Sequence, residues 1–360
     1  MLNPKKIIRQ FTPNWFAVTM GTGILSLSVA QFPFSIPGLL PVAEGIWLLN
    51  IVLFSLFTLL YAARWIMYFA EAKNIFCHST VSMFFGTIPM GMATIINGIL
   101  VFGLPRWGVS VIPVAHILWW IDVAMALICG VAIPYMMFTR QEHKLEQMTA
   151  VWLLPVVAAE VAAVSGGLLV SYITDESFRF LILITSYVLW AYSVPVAFSI
   201  LVILLIRMAV HKLPHESMAA SGWLSLGPIG TGALGMFIIG GVAPAIFAEN
   251  NLASIGEIAK GIGFICGIIF WGCGLWWMTL SVLITIRYFR TGIPFNLGWW
   301  GFTFPLGVYS LATLKLATLT ELSFFKFFGA VLVILLVMMW SLVACRTVKG
   351  AWSGALFVSH

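Results

Sequence analysis

Charged residues are scarce in this sequence. Asp, Glu, Lys and Arg make up only 8% of its 360 residues, whereas 61% are apolar and the mean hydropathy is +1.05. A soluble domain cannot hide so large an apolar fraction from water. About 20 apolar residues in a helix cross the ~30 Å hydrocarbon core of a bilayer. The composition therefore predicts a polytopic, all-helical membrane protein.

Residues and motifs typical of enzymes and metal proteins are also few. The five cysteines are odd in number and form no CxxC pair, which argues against a disulfide framework and a zinc site. Apart from His116, the histidines fall in predicted loops or termini, so a membrane haem site is not expected. No Ser/His/Asp set, HExxH motif or Walker loop occurs. We expect no enzyme activity, no metal and no cofactor.

Apolar runs bounded by charges, Pro or Gly divide the chain into about ten candidate spans within a single transmembrane domain over residues 1–360. The first run is long, is interrupted by glycine and lacks a small-x-small cleavage site, so we interpret it as a retained helix rather than a signal peptide. The runs lie near 14–32, 42–70, 80–104, 112–138, 150–172, 178–210, 222–247, 257–289, 298–320 and 323–350.

Basic residues concentrate on one side of this predicted topology. By the positive-inside rule, that side is cytoplasmic and holds both termini of a protein of the cell membrane. The formal net charge of +6 thus reflects topology, and the scattered bases form no stripe that would indicate a nucleic-acid partner. Thirteen of the 18 Lys and Arg residues fall on this side: Lys5, Lys6, Arg9, Arg64, Lys73, Arg140, Lys144, Arg207, Lys212, Arg287, Arg290, Arg346 and Lys349.

The odd-numbered runs share a pattern of proline and glycine that recurs about every seventy residues. Eighteen of the 32 glycines lie in those runs, where small residues let helices approach closely. The pattern predicts five inner helices, kinked by proline, inside five outer helices and around a central conduit. Alternatively, Gly and Pro are simply common in membrane helices, and Pro195 in an even run breaks the rule. The recurring prolines are Pro13, Pro89, Pro155, Pro228 and Pro305.

Three ionisable residues fall within predicted spans, where they are costly and usually functional or paired. Glu160 is a candidate proton carrier, and the alternative is a structural hydrogen-bonded carboxyl group. Lys315 is a candidate anion attractor near the outer mouth, and the alternative is a side chain that reaches to the interface. Asp122 lies in an even run, which favours a structural contact. Proline breaks would also aim helix N-termini at mid-membrane, although each freed carbonyl opposes that field.

Four segments resemble the tellurite-resistance/dicarboxylate transporter family, which includes malate permeases, fungal sulfite pumps and the slow-type anion channels of plants. They are FTPNWFAVTMGTGIL at 11–25, LWWIDVA at 118–124, WLLPVVAAEVAAVSGG at 152–167 and FNLGWWGFTFPLGVYSLATLKLA at 295–317. The resemblance covers almost the whole chain, and the block around WWGFTFPLG is its most specific part.

The resemblance implies ten helices in five hairpins with quasi-five-fold symmetry, a pore lined by the odd helices, and a homotrimer. In the channel branch, a phenylalanine directly before a proline plugs the pore; the matching residue is Phe304, and the alternative is a core-packing ring. The expected substrates are small anions, first C4-dicarboxylates such as malate. A passive chloride or nitrate channel and a sulfite or tellurite exporter are the alternatives. Asn14 and Thr22 are assigned to the ion pathway with Glu160 and Lys315.

Overall fold

The computed structural model describes residues 4–357, and this part of the chain is helical throughout, as predicted. Loops are short, and the longest helices have 28 to 39 residues. The α-helices are α1 (Pro4–Gln10), α2 (Phe16–Ala30), α3 (Leu39–Met67), α4 (Phe69–Asn74), α5 (Thr87–Gly98), α6 (Leu104–Trp107), α7 (Ile112–Thr139), α8 (Leu154–Leu169), α9 (Glu176–His211), α10 (Leu226–Glu249), α11 (Ala253–Thr291), α12 (Phe304–Thr320) and α13 (Ser323–Ser353).

Eight helical segments in the described residues are long and apolar enough to cross a membrane. One of them, Val81–Thr139, runs for 59 residues through several helical pieces and includes two of the predicted spans. The first predicted span corresponds to α2, which has only 15 residues. A multi-pass membrane protein is therefore supported, and the count of ten spans stays a prediction.

Helices α2, α5, α8, α10 and α12 form a closed ring at the centre of the molecule. Each packs against the next in this order, and α12 packs against α2. Ser310 on α12 donates to the Ser28 hydroxyl on α2 at 3.2 Å, which joins the last inner helix to the first. Gly230 on α10 lies so close to α12 that an added Cβ would stand 3.0 Å from the backbone nitrogen of Tyr309. Small residues therefore permit this ring, as the glycine pattern predicted.

A 3-10 segment precedes each inner helix, and these five segments contact one another in the same cyclic order. We call this side of the molecule the 3-10 end and the opposite side the far end. Within each segment a backbone N–H donates to the carbonyl three residues earlier, as Trp299 does to Asn296 at 3.1 Å. The five segments are Pro13–Trp15, Val81–Gly86, Ala150–Leu153, Glu216–Ser225 and Leu297–Phe302.

The predicted kink prolines lie at the junctions between these 3-10 segments and the inner α-helices. Pro89, Pro155, Pro228 and Pro305 each occupy the second or third position of an α-helix. A proline in the first turn has no N–H to lose, so it starts the helix without a break inside it. Whether these prolines also kink the longer helical segments that contain them stays a prediction. The 3-10 hydrogen bonds occupy part of the backbone N–H groups at the starts of the inner helices. The argument that free helix N-termini attract anions is therefore weaker.

The outer helices α3, α7, α9, α11 and α13 each contact the inner helix before them and the inner helix after them. Only 22 to 33% of the residues are buried in the most apolar windows of α3, α9, α11 and α13, against 94% in the window around α8. Exposed Leu, Ile, Val and Phe side chains cover the outer faces. This is the distribution expected where lipid surrounds the protein.

A tryptophan on each outer helix fastens it to the inner helix that follows. The indole N–H of Trp119, for example, donates to the Ala162 carbonyl of α8 at 2.8 Å. The same link occurs five times, and the last one returns from α13 to α2. The donors and acceptors are Trp47 and Ile95, Trp119 and Ala162, Trp190 and Gly232, Trp271 and Thr313, and Trp340 and Thr22.

Candidate anion conduit

A vestibule of about 440 Å³ opens at the 3-10 end of the inner ring. All five 3-10 segments, or residues directly beside them, contribute to its wall, including Asn14, Thr87 and Asn296. His78 also lines it, and the His78 Nδ1 accepts hydrogen bonds from the backbone N–H groups of Thr80 and Val81 at 3.2 Å. No Asp, Glu, Lys or Arg side chain lines this vestibule among the described residues.

A second cavity of about 150 Å³, here called the far cavity, lies in the other half of the ring. All five inner helices contribute to its wall, mostly with Val, Leu and Ile side chains. Three polar side chains of the inner helices, Thr94, Asn97 and Thr231, interrupt this apolar surface. Lys315 is the only charged residue on its lining within residues 4–357.

Phe304 lies at the boundary between the two cavities. It lines the far cavity, while Gly301, three residues earlier, lines the vestibule. On α2 the boundary falls within one helical turn, because Met20 lines the vestibule and Ile24 the far cavity. The Phe304 side chain is 2% exposed. Phe304 is thus a buried aromatic residue on the side of the far cavity that is nearer to the vestibule.

The chain around Phe304 is held by local hydrogen bonds. Thr303 donates from its hydroxyl to the Trp300 carbonyl at 2.7 Å, and the Gly307 N–H donates to the Thr303 carbonyl at 2.9 Å. Trp300 is itself fixed by an indole N–H bond to the Thr347 hydroxyl at 3.0 Å. The backbone that carries Phe304 is therefore held in place by these hydrogen bonds.

Lys315 lies at the far end of the conduit, where the far cavity meets a wider opening of about 610 Å³. Gln31 lines both spaces, and Glu321 and Lys326 border the wider one. The Lys315 side chain is partly exposed, and no salt bridge joins it to another described residue. Its ammonium group places positive charge at the mouth without a neutralising carboxylate partner.

Glu160 is fully buried in α8 but does not belong to the lining of either cavity. It faces Ser193 of the outer helix α9, whose hydroxyl donates to the Val156 carbonyl at 2.9 Å. A role as proton carrier therefore stays a prediction. Neither Glu160 carboxyl oxygen has a hydrogen-bond partner among residues 4–357, so the alternative of a hydrogen-bonded structural carboxyl group stays a prediction as well.

Asp122 on α7 is also fully buried and outside both linings, and neither of its oxygens has a donor among residues 4–357. Thr22 accepts the Trp340 link and likewise lines neither cavity. Asn14 does line the vestibule, and its Oδ1 accepts a hydrogen bond from the Thr12 hydroxyl. The structure thus brings Phe304 and Lys315 together in the far cavity, whereas Asn14 lines the vestibule.

Sequence reasoning missed Asn97 and Thr231. Both line the far cavity, and the Asn97 Oδ1 and Thr231 Oγ1 have no hydrogen-bond partner in the described part of the chain. Both lie in the predicted inner runs, but Asn and Thr are not charged and form no motif there. Only their positions on the lining and their missing partners distinguish them.

The SLAC1 family of voltage-dependent anion channels matches residues 10–348. The chain belongs to this family. Among its relatives, a sulfite efflux pump SSU1 from Arthroderma benhamiae is 38% identical over 352 residues, 97% of this chain and 93% of the relative.

Other relatives of the SLAC1 family protein carry different names. An uncharacterized transporter of Methanocaldococcus jannaschii is 27% identical, with 98% of this chain and 97% of the relative covered. A malic acid transport protein of Schizosaccharomyces pombe is 26% identical, with 95% and 78% covered. The predicted resemblance is confirmed across the chain, and the family places the protein among membrane transporters and channels for anions.

Proposed function

We propose that this protein moves small oxyanions, with sulfite as the first candidate, through the conduit inside the inner ring. The choice of sulfite rests on the similarity to sulfite efflux pumps over almost the whole length of the chain. The pair of cavities on either side of Phe304 supports a conduit that is closed in the described conformation. An apolar ring across a narrow passage excludes hydrated ions by its size and by dewetting.

The charges on the lining support anions over cations. Lys315 is the single formal charge on the two linings in residues 4–357, while Glu160 and Asp122 both lie away from them. Along these two linings, an anion therefore meets one fixed positive charge and no fixed negative charge. In a surrounding of low dielectric constant, even one unpaired cation raises the local concentration of anions strongly.

Malate remains the second candidate, since one relative of lower identity is a malic acid transport protein. A C4-dicarboxylate was the first expectation from the sequence, and the similarity to sulfite efflux pumps, higher in identity, now favours the smaller oxyanion. A passive chloride or nitrate channel is the third candidate, because the family as a whole is described by anion channels.

Uptake of labelled sulfite, malate and chloride into proteoliposomes, with and without an imposed pH gradient, tests the proposal. We expect sulfite uptake to exceed both other fluxes. A gradient that enhances uptake would indicate coupling to protons. If malate uptake exceeds sulfite uptake, the substrate proposal is wrong, and if no anion moves, the transport proposal is wrong.

We further propose that ten spans cross the cell membrane, that the basic 3-10 end faces the cytoplasm, and that the protein assembles as a homotrimer. The basic residues at the ends of α3, α7, α9, α11 and α13 support this orientation. Exposed Cys77, near the 3-10 end, provides a reporter, since an impermeant thiol reagent added outside intact cells should leave it unmodified. Mass photometry of the detergent-solubilised protein would show the number of subunits.

A further inference from the structure

Two polar side chains of the far cavity lack the partners that buried polar groups normally have. Thr94 is satisfied, since its hydroxyl donates to the Gly91 carbonyl at 2.7 Å and accepts from the Asn50 Nδ2 at 3.1 Å. Asn97 and Thr231 are 7% and 1% exposed, yet the Asn97 Oδ1 and Thr231 Oγ1 have no partner within residues 4–357. Because such groups are costly to leave unpaired, their place on a cavity wall points to a ligand.

Asn97 and Lys315 lie at about the same depth in the conduit. Asn97 is the eleventh residue of α5 and Lys315 the twelfth of α12, and both helices start at the ring of 3-10 segments. At a rise of about 1.5 Å per residue, both lie roughly 15 Å beyond that ring. Thr231, the sixth residue of α10, lies roughly half as far, between this depth and Phe304 at the start of α12. An anion entering from the far end meets Lys315 and Asn97 first and Thr231 next.

The chemistry of these three side chains is not that of a site for simple anions. The Lys315 ammonium group only donates hydrogen bonds, whereas the Asn97 amide both donates and accepts. Chloride only accepts, so it would leave the amide oxygen unpaired and close to a negative charge. A protonated oxyanion has oxygens that accept from Lys315 and the amide N–H₂, and a hydroxyl that donates to the amide oxygen.

We propose that Asn97 determines specificity by recognising the hydroxyl of a protonated, singly charged oxyanion, of which hydrogen sulfite is the smallest candidate. Lys315 supplies the charge, and Thr231 donates a second hydrogen bond deeper in the far cavity, between Lys315 and Phe304. The inference rests on the proposed function and goes beyond it, because it names the protonation state that is carried. The sulfite dianion, which has no hydroxyl, is selected against by the same amide oxygen.

Proteoliposomes containing Asn97→Leu test this inference by paired fluxes of sulfite and chloride. At a mildly acidic pH, where hydrogen sulfite dominates, we expect the variant to lose about tenfold in sulfite flux, the effect of one well-formed hydrogen bond to a charged ligand. Chloride flux should not fall, because the amide oxygen that the change removes disfavours chloride, and this flux shows at the same time that the variant is folded. The control Asn250→Leu makes the same change in the loop after α10, outside both cavities, and should alter neither flux.

Three further results decide the inference. Asn97→Ser keeps a hydroxyl that can accept and should show an intermediate loss of sulfite flux, whereas Thr231→Val removes a donor that serves either anion and should reduce both fluxes. If Asn97→Leu lowers sulfite and chloride flux equally, or if the wild type carries sulfite equally well at a pH where the dianion dominates, the inference is wrong while the proposed function stands. A wild type without any sulfite flux would instead overturn the proposed function.

Discussion

Asp122 is a fully buried carboxyl group whose oxygens have no donor among the described residues. It lies on the outer helix α7, three residues after the Trp119 link, and does not line the conduit. A buried carboxylate without a partner costs several kcal/mol, so nothing in this arrangement requires the charged form. A neutral side chain of the same shape should be accepted at this position.

We therefore predict that Asp122→Asn preserves both folding and transport. Thermal unfolding in detergent and sulfite flux should match the wild type, the latter within about twofold. Asp122→Leu, which removes the polar atoms, provides the comparison. A large loss of flux in well-folded Asp122→Asn would show that the acid itself is needed.

Glu160 leads to a similar prediction for a residue that the sequence assigned to the ion pathway. Because it faces Ser193 between α8 and α9 and lies off both linings, we expect Glu160→Gln to leave sulfite flux and its pH profile unchanged within about twofold. Flux measured across a series of pH values checks this. If the pH dependence disappears in the variant, Glu160 carries the proton after all.

The residues of the conduit differ in how far the sequence could identify them. Lys315 is conspicuous because charge within a span is rare, and Phe304 is marked by its motif before Pro305. No sequence feature distinguishes Asn97 and Thr231 from other polar residues of the inner helices. Thr94, for example, is similar in type and location, yet its hydroxyl is fully hydrogen-bonded. Which polar group is left without a partner depends on contacts between helices far apart in the chain.

At the scale of elements, the five tryptophan links show why the outer helices keep their register on the ring. Each link satisfies an indole N–H that would otherwise be unpaired in an apolar layer, where hydrogen bonds contribute about 0.6–2 kcal/mol. The donors recur at intervals of 69 to 81 residues along the chain. The repeat is present in the sequence, but the five regularly spaced tryptophans cannot be picked out from all 16 until their contacts are known.

Replacing one of these donors should destabilise the protein. Trp119→Phe removes the bond to Ala162 and part of a fully buried ring, and we predict a loss of about 1–3 kcal/mol, seen as a lower melting temperature in detergent. Trp276→Phe is the matched control, because that ring is 49% exposed on α11. Equal melting temperatures for the two variants would contradict the structural role of the link.

A glycine next to one of the links gives an independent prediction. A Cβ on Gly98 would overlap the indole nitrogen of Trp47, whereas a Cβ on Gly272 meets nothing within 4 Å. We expect Gly98→Ala to cost about 1–3 kcal/mol by overpacking, and Gly272→Ala to be neutral or to stabilise α11 by up to about 1 kcal/mol. Thermal unfolding of both variants compares the sites directly, and a stable Gly98→Ala would mean that the contact is loose.

The prolines illustrate what spacing along a sequence can and cannot predict. Their interval indicated a repeated unit, and the structure places four of them at equivalent junctions between a 3-10 segment and an α-helix. The amino-acid sequence around each proline could not show whether the proline breaks a helix or begins one, since that depends on the conformation of the residues before it.

At the scale of the whole molecule, the ring follows from burial. Inner helices are enclosed on all sides, so glycine and alanine suffice between them, whereas outer helices need large apolar side chains toward lipid. The sequence shows this contrast between inner and outer helices, because glycine is concentrated in the odd-numbered apolar runs. The closure of α12 against α2 was not, because it joins residues such as Ser310 and Ser28 that lie 282 positions apart.

The number of spans is harder to predict from the sequence than the all-helical class. The α2 helix is short, and Val81–Thr139 continues through 3-10, α and π segments without a long loop. Hydropathy alone does not divide such a stretch. The recurrence of contacts around the ring is regular, and exact quasi-five-fold symmetry stays a prediction.

Phe304→Ala tests the central claim, that an aromatic ring closes an anion conduit inside the five inner helices, most directly. Sulfite flux into proteoliposomes should rise at least about tenfold, since the change removes the ring between the vestibule and the far cavity. Phe237→Ala, a buried ring on α10 that lines neither cavity, controls for the loss of an aromatic side chain. Unchanged or reduced flux in a monodisperse Phe304→Ala protein would contradict the account.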